Sequence, residues 1–262
     1  MWALPVHPLM TPTPNLEDEL KRRTRFARLV HLASCESTQD VAAEMDPDDD
    51  GDLVVWADHQ TRGRGRQQRH WDDAAGLGVA VTFQVRATLP NPVALPAALP
   101  VAVLLACEPL SGTTLRIKWP NDVYAGGQKL AGVLVDRDSS RPESYRIGVG
   151  VNVNRISFPA DLTHTASSLR LLSGRELDRS QVLLALAESV DAMLTALSDV
   201  GDVGNHLQLF RDRLGLLGRE VTVTAGETWT GILSHIDFEQ LVLDGRRSLP
   251  LAIVTKLALQ RP

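Results

Sequence analysis

The feature that most limits what this chain can fold into is a change of pattern between Gly215 and Gly218. Ahead of it, apolar runs of strand length alternate with stretches that are apolar at helical spacing. From Glu220 onward the chain reads as short strands with close turns, at residues 221–223, 229–236 and 241–243, with Ala225-Gly226-Glu227 and Asp244-Gly245 as turn signals. About 45 residues of such hairpins predict a small barrel appended to an α+β domain.

The earlier part carries its own punctuation. Residues 15–24 carry mixed charge and read as a short helix, residues 29–32 as a first strand, and residues 53–57 as a buried strand. Ser37 and Thr38 suit a helix N-cap ahead of residues 41–44. Residues 79–85 form the next strand. Residues 93–108 read as a helix that Pro96 and Pro100 break or delay. Residues 115–119 alternate like a half-buried strand, Gly126-Gly127 marks a hairpin turn, and residues 130–135 and 145–151 follow as strands. The sheet edge near residues 145–151 reads as exposed and able to pair with a second copy. Helices are predicted at residues 182–197 and 203–214. With five Phe and two Tyr, the core must come mainly from Ala, Val and Leu.

Other classes are disfavoured. The formal charge of −5 argues against general nucleic-acid binding, though a local basic loop remains compatible. Cys35 and Cys107 lie far apart without metal-ligand spacing, which favours reduced thiols. No apolar run comes near the roughly 18 residues of a membrane span. Residues 1–10 lack a basic leader and contain Pro5 and Pro8, so no signal peptide is expected. Thr11-Pro12-Thr13-Pro14 reads as a disordered lead-in. A cytoplasmic location is the resulting expectation.

Three motifs carry chemistry. Gly63-Arg64-Gly65-Arg66, with Arg69 close behind, follows a predicted strand. Glycines let the backbone approach a ligand, and forked guanidinium groups match phosphate or carboxylate oxygens. The loop is neither a Walker loop nor a dinucleotide fingerprint, since Gln68 stands at the third glycine position of the latter. A solvated or RNA-contacting basic loop is the alternative. In Lys118-Trp119-Pro120-Asn121-Asp122 a proline stops a strand, and Asn121 and Asp122 either fix a tight turn or position a metal, a ribose hydroxyl or an amine. Lys129 opens the returning strand, either as an edge solubiliser or as a charge aimed into a pocket, and Gly132 leaves room above the sheet. Gly148-Val149-Gly150-Val151-Asn152 marks close approach by a ligand, or a bulge with a turn asparagine.

In order, Ser37-Thr38, Gln60, the Gly63–Arg66 loop, Trp71, Lys118-Trp119-Pro120-Asn121-Asp122, Lys129-Leu130-Ala131-Gly132 and Gly148-Val149-Gly150-Val151-Asn152 resemble the biotin protein ligase family over roughly residues 28–260. The resemblance implies an α+β fold: a mixed sheet flanked by helices, like that of class II aminoacyl-tRNA synthetases, with an SH3-like C-terminal barrel. It divides the chain into an extension at 1–27, a catalytic domain at 28–215 and a C-terminal domain at 216–262. It implies an ATP-dependent ligase that forms biotinyl-AMP and passes biotin to a lysine of a biotin carboxyl carrier protein or domain of a biotin-dependent carboxylase, with Mg²⁺ brought mainly by the ATP phosphates.

Site roles follow from the same resemblance. Ser37, Thr38, Gln60, Gly63, Arg64, Lys129 and Gly132 would hold biotin. Arg64, Arg66, Arg69, Trp71, Asn121, Lys129 and Asn152 would hold ATP or the adenylate, and Lys129, Arg66 and Asp122 would be catalytic. Gln39, where the family usually has Asn, Arg62, where Ala is frequent, and Gln68, where Gly is common, are departures. With only 27 residues ahead of the core, no DNA-binding domain is expected. A monomer and a homodimer both fit, with no DNA or membrane partner. A lipoate ligase-like enzyme and a non-catalytic biotin sensor are the alternatives.

Overall fold

A computed structural model describes residues 16–45, 51–66, 70–138, 140–198 and 202–260. Arg69, Gln68 and the lead-in at residues 11–14 lie outside the described residues. Helix α1 (Leu16–Arg23) precedes strand β1 (Arg28–Leu32), helix α2 (Thr38–Glu44), and strands β2 (Leu53–Ala57) and β3 (Gly78–Arg86). Helix α3 (Leu95–Ser111) leads to β4 (Arg116–Lys118), β5 (Asp122–Ala125), β6 (Gln128–Arg137) and β7 (Ser144–Asn152). Helices α4 (Leu169–Ser173), α5 (Arg179–Ala196) and α6 (Gly204–Leu214) complete the first part.

The seven strands form one sheet in the order β1-β2-β3-β7-β6-β5-β4. Only β1 and β2 run parallel; every other neighbouring pair is antiparallel, so the sheet is mixed. Strand β7, expected at an exposed edge, is instead interior and pairs with β3 on one side and β6 on the other. The free edges are β1 and β4. Alternation in a sequence tells which face of a strand is buried, not its lateral place in the sheet.

The period of two sorts residues between two cores. In β2, Val54 and Trp56 enter the large core with α3 and α5, while Leu53, Val55 and Ala57 join a smaller cluster with Cys35 and Ala42 under α2. In β3 and β7, Val79, Val81, Phe83, Val85, Tyr145, Ile147, Val149 and Val151 all face the large core. The opposite face of these strands is left to small and polar residues, and that face carries the site.

Helix α3 is not broken. A 3-10 turn (Pro92–Ala94) precedes it, and the helix then runs through Pro100 to Gly112, whose φ of 66° ends it. Two internal prolines, Pro100 and Pro109, cost about 3 kcal/mol each. Leu95, Leu99, Val101, Val103 and Leu104 are buried, at about 1.5–3 kcal/mol each, which outweighs that cost. The same segment, Pro92–Ser111, is long and apolar enough to cross a membrane by length and composition, contrary to expectation. Here it is the core helix against α5 and the sheet. The core is built largely of Ala, Val and Leu, with Phe26 and Phe83 paired at 5.0 Å between ring centres.

After α6 come β8 (Glu220–Ala225), β9 (Glu227–Ile236), β10 (Gln240–Leu243), β11 (Arg247–Pro250) and β12 (Lys256–Leu259), an antiparallel sheet in the order β11-β10-β9-β8-β12. Asp244 and Gly245 both take positive φ, 52° and 67°, which suits the twist of the β10–β11 hairpin. Val221, Val223, Leu233, Ile236, Leu241 and Leu243 fill its interior. This second sheet is consistent with a small SH3-like domain.

Candidate active site

The floor of the site is bare backbone. Across β6 and β7, Gly132 pairs with Gly150, and Gly148 pairs with Leu134 on one side and Thr82 of β3 on the other. The β7 ladder with β3 runs in unbroken register, so the glycines do not mark a bulge. They mark close approach. A Cβ on Gly150 would lie 2.6 Å from the Trp71 indole, and one on Gly148 2.7 Å from the Gln39 amide. Above this floor is a cavity of about 620 Å³, a volume suited to a small-molecule ligand.

One end is polar and nearly neutral. Ser37 occupies the N-cap position of α2 but its side chain makes no capping bond; its buried hydroxyl has no partner among the described residues. Thr38 donates its backbone N–H to Gln60 Oε1 at 2.8 Å and its hydroxyl to the same oxygen at 3.1 Å. The Gln60 backbone N–H donates to Asp73 at 2.6 Å. Burial raises the Asp73 carboxyl above its ordinary range, opposed by that N–H and by His59. Gln39 donates to the Leu134 and Arg146 carbonyls at 3.1 and 3.4 Å, leaving its buried Oε1 without a partner. Orphaned buried acceptors are rare in folded proteins and fit a polar ligand.

The other end is cationic. Among the described residues five cations, Arg64, Arg66, Lys118, Lys129 and Lys256, line the cavity against one carboxylate, Asp122. Burial pulls the Arg66 guanidinium below its ordinary value, and the Asp122 charge acts the other way. Arg64 bridges Asp40 at 3.0 Å and Asp136 at 3.2 Å. Lys129 meets Asp122 at 2.6 Å and stands 5.5 Å from the centre of the Trp71 ring.

Lys129 reaches the cavity through a bulge. Ala131 and Val133 point into the large core, and alternation would send Lys129 the same way. Tyr124 pairs with Lys129 while Val123 pairs with Ala131, so Leu130 is an extra residue without a partner across the ladder. Leu130 turns inward, and Lys129 emerges on the same face as Gly132: a Cβ on that glycine would lie 3.2 Å from Lys129 Nζ. A short parallel bridge holds the Lys129 backbone, its N–H donating to Thr165 O at 2.7 Å and its carbonyl accepting from Ser167 N at 2.9 Å. Asn152 Nδ2 in turn donates to Ser167 O at 3.0 Å.

Residues 32–154 match the biotin/lipoate A/B protein ligase family. This stretch, just under half of the chain, is similar to that family. It is 36% identical over 172 residues to the bifunctional ligase/repressor BirA of Bacillus subtilis, covering 63% of this chain and 53% of that protein. It is 35% identical over 149 residues to the biotin–[acetyl-CoA-carboxylase] ligase of Mycobacterium tuberculosis, covering 54% of each. The chain spans about half the length of the curated relatives it matches. Among solved structures, the biotin protein ligase from Aquifex aeolicus in complex with biotin and ATP has a TM-score of 0.77 at 25% identity, covering 90% of this chain and 100% of that one.

Of the residues expected at a ligase site, Ser37, Thr38, Gln60, Arg64, Arg66, Trp71, Asn121, Asp122, Lys129 and Gly132 do line this cavity. Gly63 and Asn152 do not. Gly63 lets the loop close on itself, since a Cβ there would lie 2.9 Å from Trp71 O. Asn121 donates its amide to the Val133 carbonyl and accepts from Val133 N, fixing the turn into β5. Asp122 is the first residue of β5, not a turn residue. The cavity also gains Gln39, His70 and Tyr124, and from the second sheet Thr224, Thr255 and Lys256, which lie outside the matched residues 32–154. Tyr124 was findable, two residues beyond Asp122 on the same strand face. Thr224, Thr255 and Lys256 carry no local signal, because only the packing of the two sheets brings them there.

Proposed function

We propose that this chain is an ATP-dependent biotin protein ligase. The observation that carries this reading is the polarity of one cavity: a nearly neutral hydrogen-bonding end at Ser37, Thr38 and Gln60, and an end where five cations meet one carboxylate. A cyclic urea suits the first, and a carboxylate beside a triphosphate the second.

In the first step a biotin carboxylate oxygen attacks the α-phosphorus of ATP, and pyrophosphate leaves with the electron pair of the broken P–O bond. Two anions must approach, so fixed positive charge lowers the barrier. Lys129, aimed by the bulge, and Arg66 supply it at the reacting centre, with Arg64 and Arg69 along the loop. Trp71 offers a flat surface for a base. In the second step an uncharged lysine amine of the carrier attacks the acyl carbon, AMP leaves, and Asp122 takes the amine proton. Its partner Lys129 holds Asp122 beside the acyl carbon. No covalent enzyme intermediate is needed.

The described residues contain no group of three His, Cys, Asp or Glu able to hold a metal. A single cavity carboxylate fits Mg²⁺ that is bound mainly by nucleotide phosphates, with Asp122 as the protein group able to reach it. The ion would neutralise phosphate charge. We further propose the division into 28–215 and 216–262, a carrier domain of a biotin-dependent carboxylase as acceptor, and action in the cytoplasm.

The test mixes protein, ATP, Mg²⁺, biotin and a carrier domain and reads the carrier's mass. A gain of one biotin, dependent on ATP and absent with lipoate, supports the reading. A gain with lipoate instead identifies the other branch of the family. Tight biotin binding without transfer identifies a sensor.

A further inference from the structure

We propose that Thr82 is a positioning residue: acting through Thr38, its hydroxyl reinforces the orientation in which the Gln60 amide is presented to the ligand. This rests on the ligase reading for the ligand's identity but not for the geometry. Thr82 sits in β3, fully buried, and lines up across the sheet with Gly148, which offers it no side-chain acceptor. Its hydroxyl is 2.9 Å from the Thr38 hydroxyl. Most buried hydroxyls are hydrogen-bonded, and among the described residues this is the bond Thr82 Oγ1 makes.

The directions of these bonds can be assigned. The Thr38 backbone N–H can only donate, so the Gln60 atom 2.8 Å from it is the amide oxygen. The Thr38 hydroxyl, 3.1 Å from that oxygen, must then donate to it as well. With its proton committed, Thr38 Oγ1 can only accept from Thr82. The Gln60 backbone is fixed independently, by its N–H bond to Asp73 and its bridge to Cys35. The amide rotor is therefore the remaining freedom: the Thr38 N–H turns Oε1 toward Thr38 and Nε2 toward the cavity, and the Thr82–Thr38 relay adds a second bond that holds it there. Among the described residues Nε2 donates to no protein acceptor. The site thus offers a donor at its ring end and selects a ligand with a carbonyl acceptor there, as a cyclic urea has.

Replacing Thr82 by Val keeps the shape and removes the relay proton. The Thr38 hydroxyl is then free to turn, and the Gln60 amide is left with the Thr38 N–H bond alone and moves more. The experiment compares wild type, Thr82→Val and Thr82→Ser as full chains. The first readout is the Gln60 side-chain amide signal in nitrogen-15 NMR without ligand, assigned by its loss in Gln60→Glu. We expect it sharp in wild type and Thr82→Ser, and broadened or doubled in Thr82→Val.

The second readout is binding of biotin and of its cyclic guanidine analogue, 2-iminobiotin. We expect biotin affinity to fall about tenfold in Thr82→Val, the preference over the analogue to narrow, the rate at saturating biotin to hold, and Thr82→Ser to restore all three. An unchanged Gln60 signal in a folded Thr82→Val overturns the inference. A changed signal in a protein whose wild type binds no biotin upholds the relay and overturns the ligase reading instead.

Discussion

At the scale of single residues, Lys129 has the most to lose. It is the cation that the backbone is bent to aim, and Asp122 lies 2.6 Å away. Lys129→Ala should slow biotin-dependent exchange of pyrophosphate into ATP by about a hundredfold or more, while biotin binding measured by calorimetry changes far less. Equal losses in both would make the lysine a ground-state contact only. The two thiols give a pH prediction. Burial pushes Cys35, with help from the Asp73 and Asp40 charges, and Cys107 from 9.0 up to about 12. The folded state therefore favours the protonated thiols. That contribution is whole below pH 9.0 and is lost as pH rises towards about 12. Cys35→Ser with Cys107→Ala should flatten the alkaline fall in melting temperature between those limits, and an unchanged profile would refute it. Most residues that line the cavity were legible because arginine, lysine and glycine stand there in short fixed order. The relay through Thr82 was not, since a threonine in an apolar strand looks like any β-branched filler.

At the scale of elements, the clamp on Lys129 makes a sharper claim. Asn152 holds residue 167, and residues 165 and 167 hold the lysine's backbone. Asn152→Ala should lower the rate of adenylate formation about tenfold, the loss of one buried hydrogen bond, with the Michaelis constant for ATP nearly unchanged. A rise in that constant with the rate intact would mean that Asn152 touches the nucleotide directly. Strands and helices with a strong period were readable in advance, including α5 and the hairpin at Gly126-Gly127. The lateral order of the sheet was not, and β7 moved from edge to centre. Nor was the bulge: Leu130 and Ala131 are both apolar and both buried, so nothing in their identities shows where the alternation slips. Of the break or delay that the prolines in α3 predicted, the delay is seen, a 3-10 turn ahead of Leu95, while the surrounding core overrode the break.

At the scale of the whole molecule, the second sheet is part of the site. Trp119 Nε1 donates to the Val254 carbonyl at 3.2 Å, tying the strand end of the main sheet to the segment that leads into Lys256. Lys256→Ala should raise the Michaelis constant for ATP several-fold and leave biotin affinity alone, since the lysine lines the cationic end; steady-state kinetics with each substrate varied would show it. Trp119→Phe should do the same more weakly and lower the melting temperature by a few degrees, as loss of about 1 kcal/mol would. Turn density in the sequence pointed to these strands, but no local pattern showed which side chains they bring to the cavity. The wall they form is made after the rest of the cavity lining. A growing chain carries Gln60, Lys129 and the glycine floor long before residues 224, 255 and 256 leave the ribosome. Until then the trough stands open to water on that side, so on the proposed ligase reading a truncated product would squander ATP on an anhydride it cannot shelter.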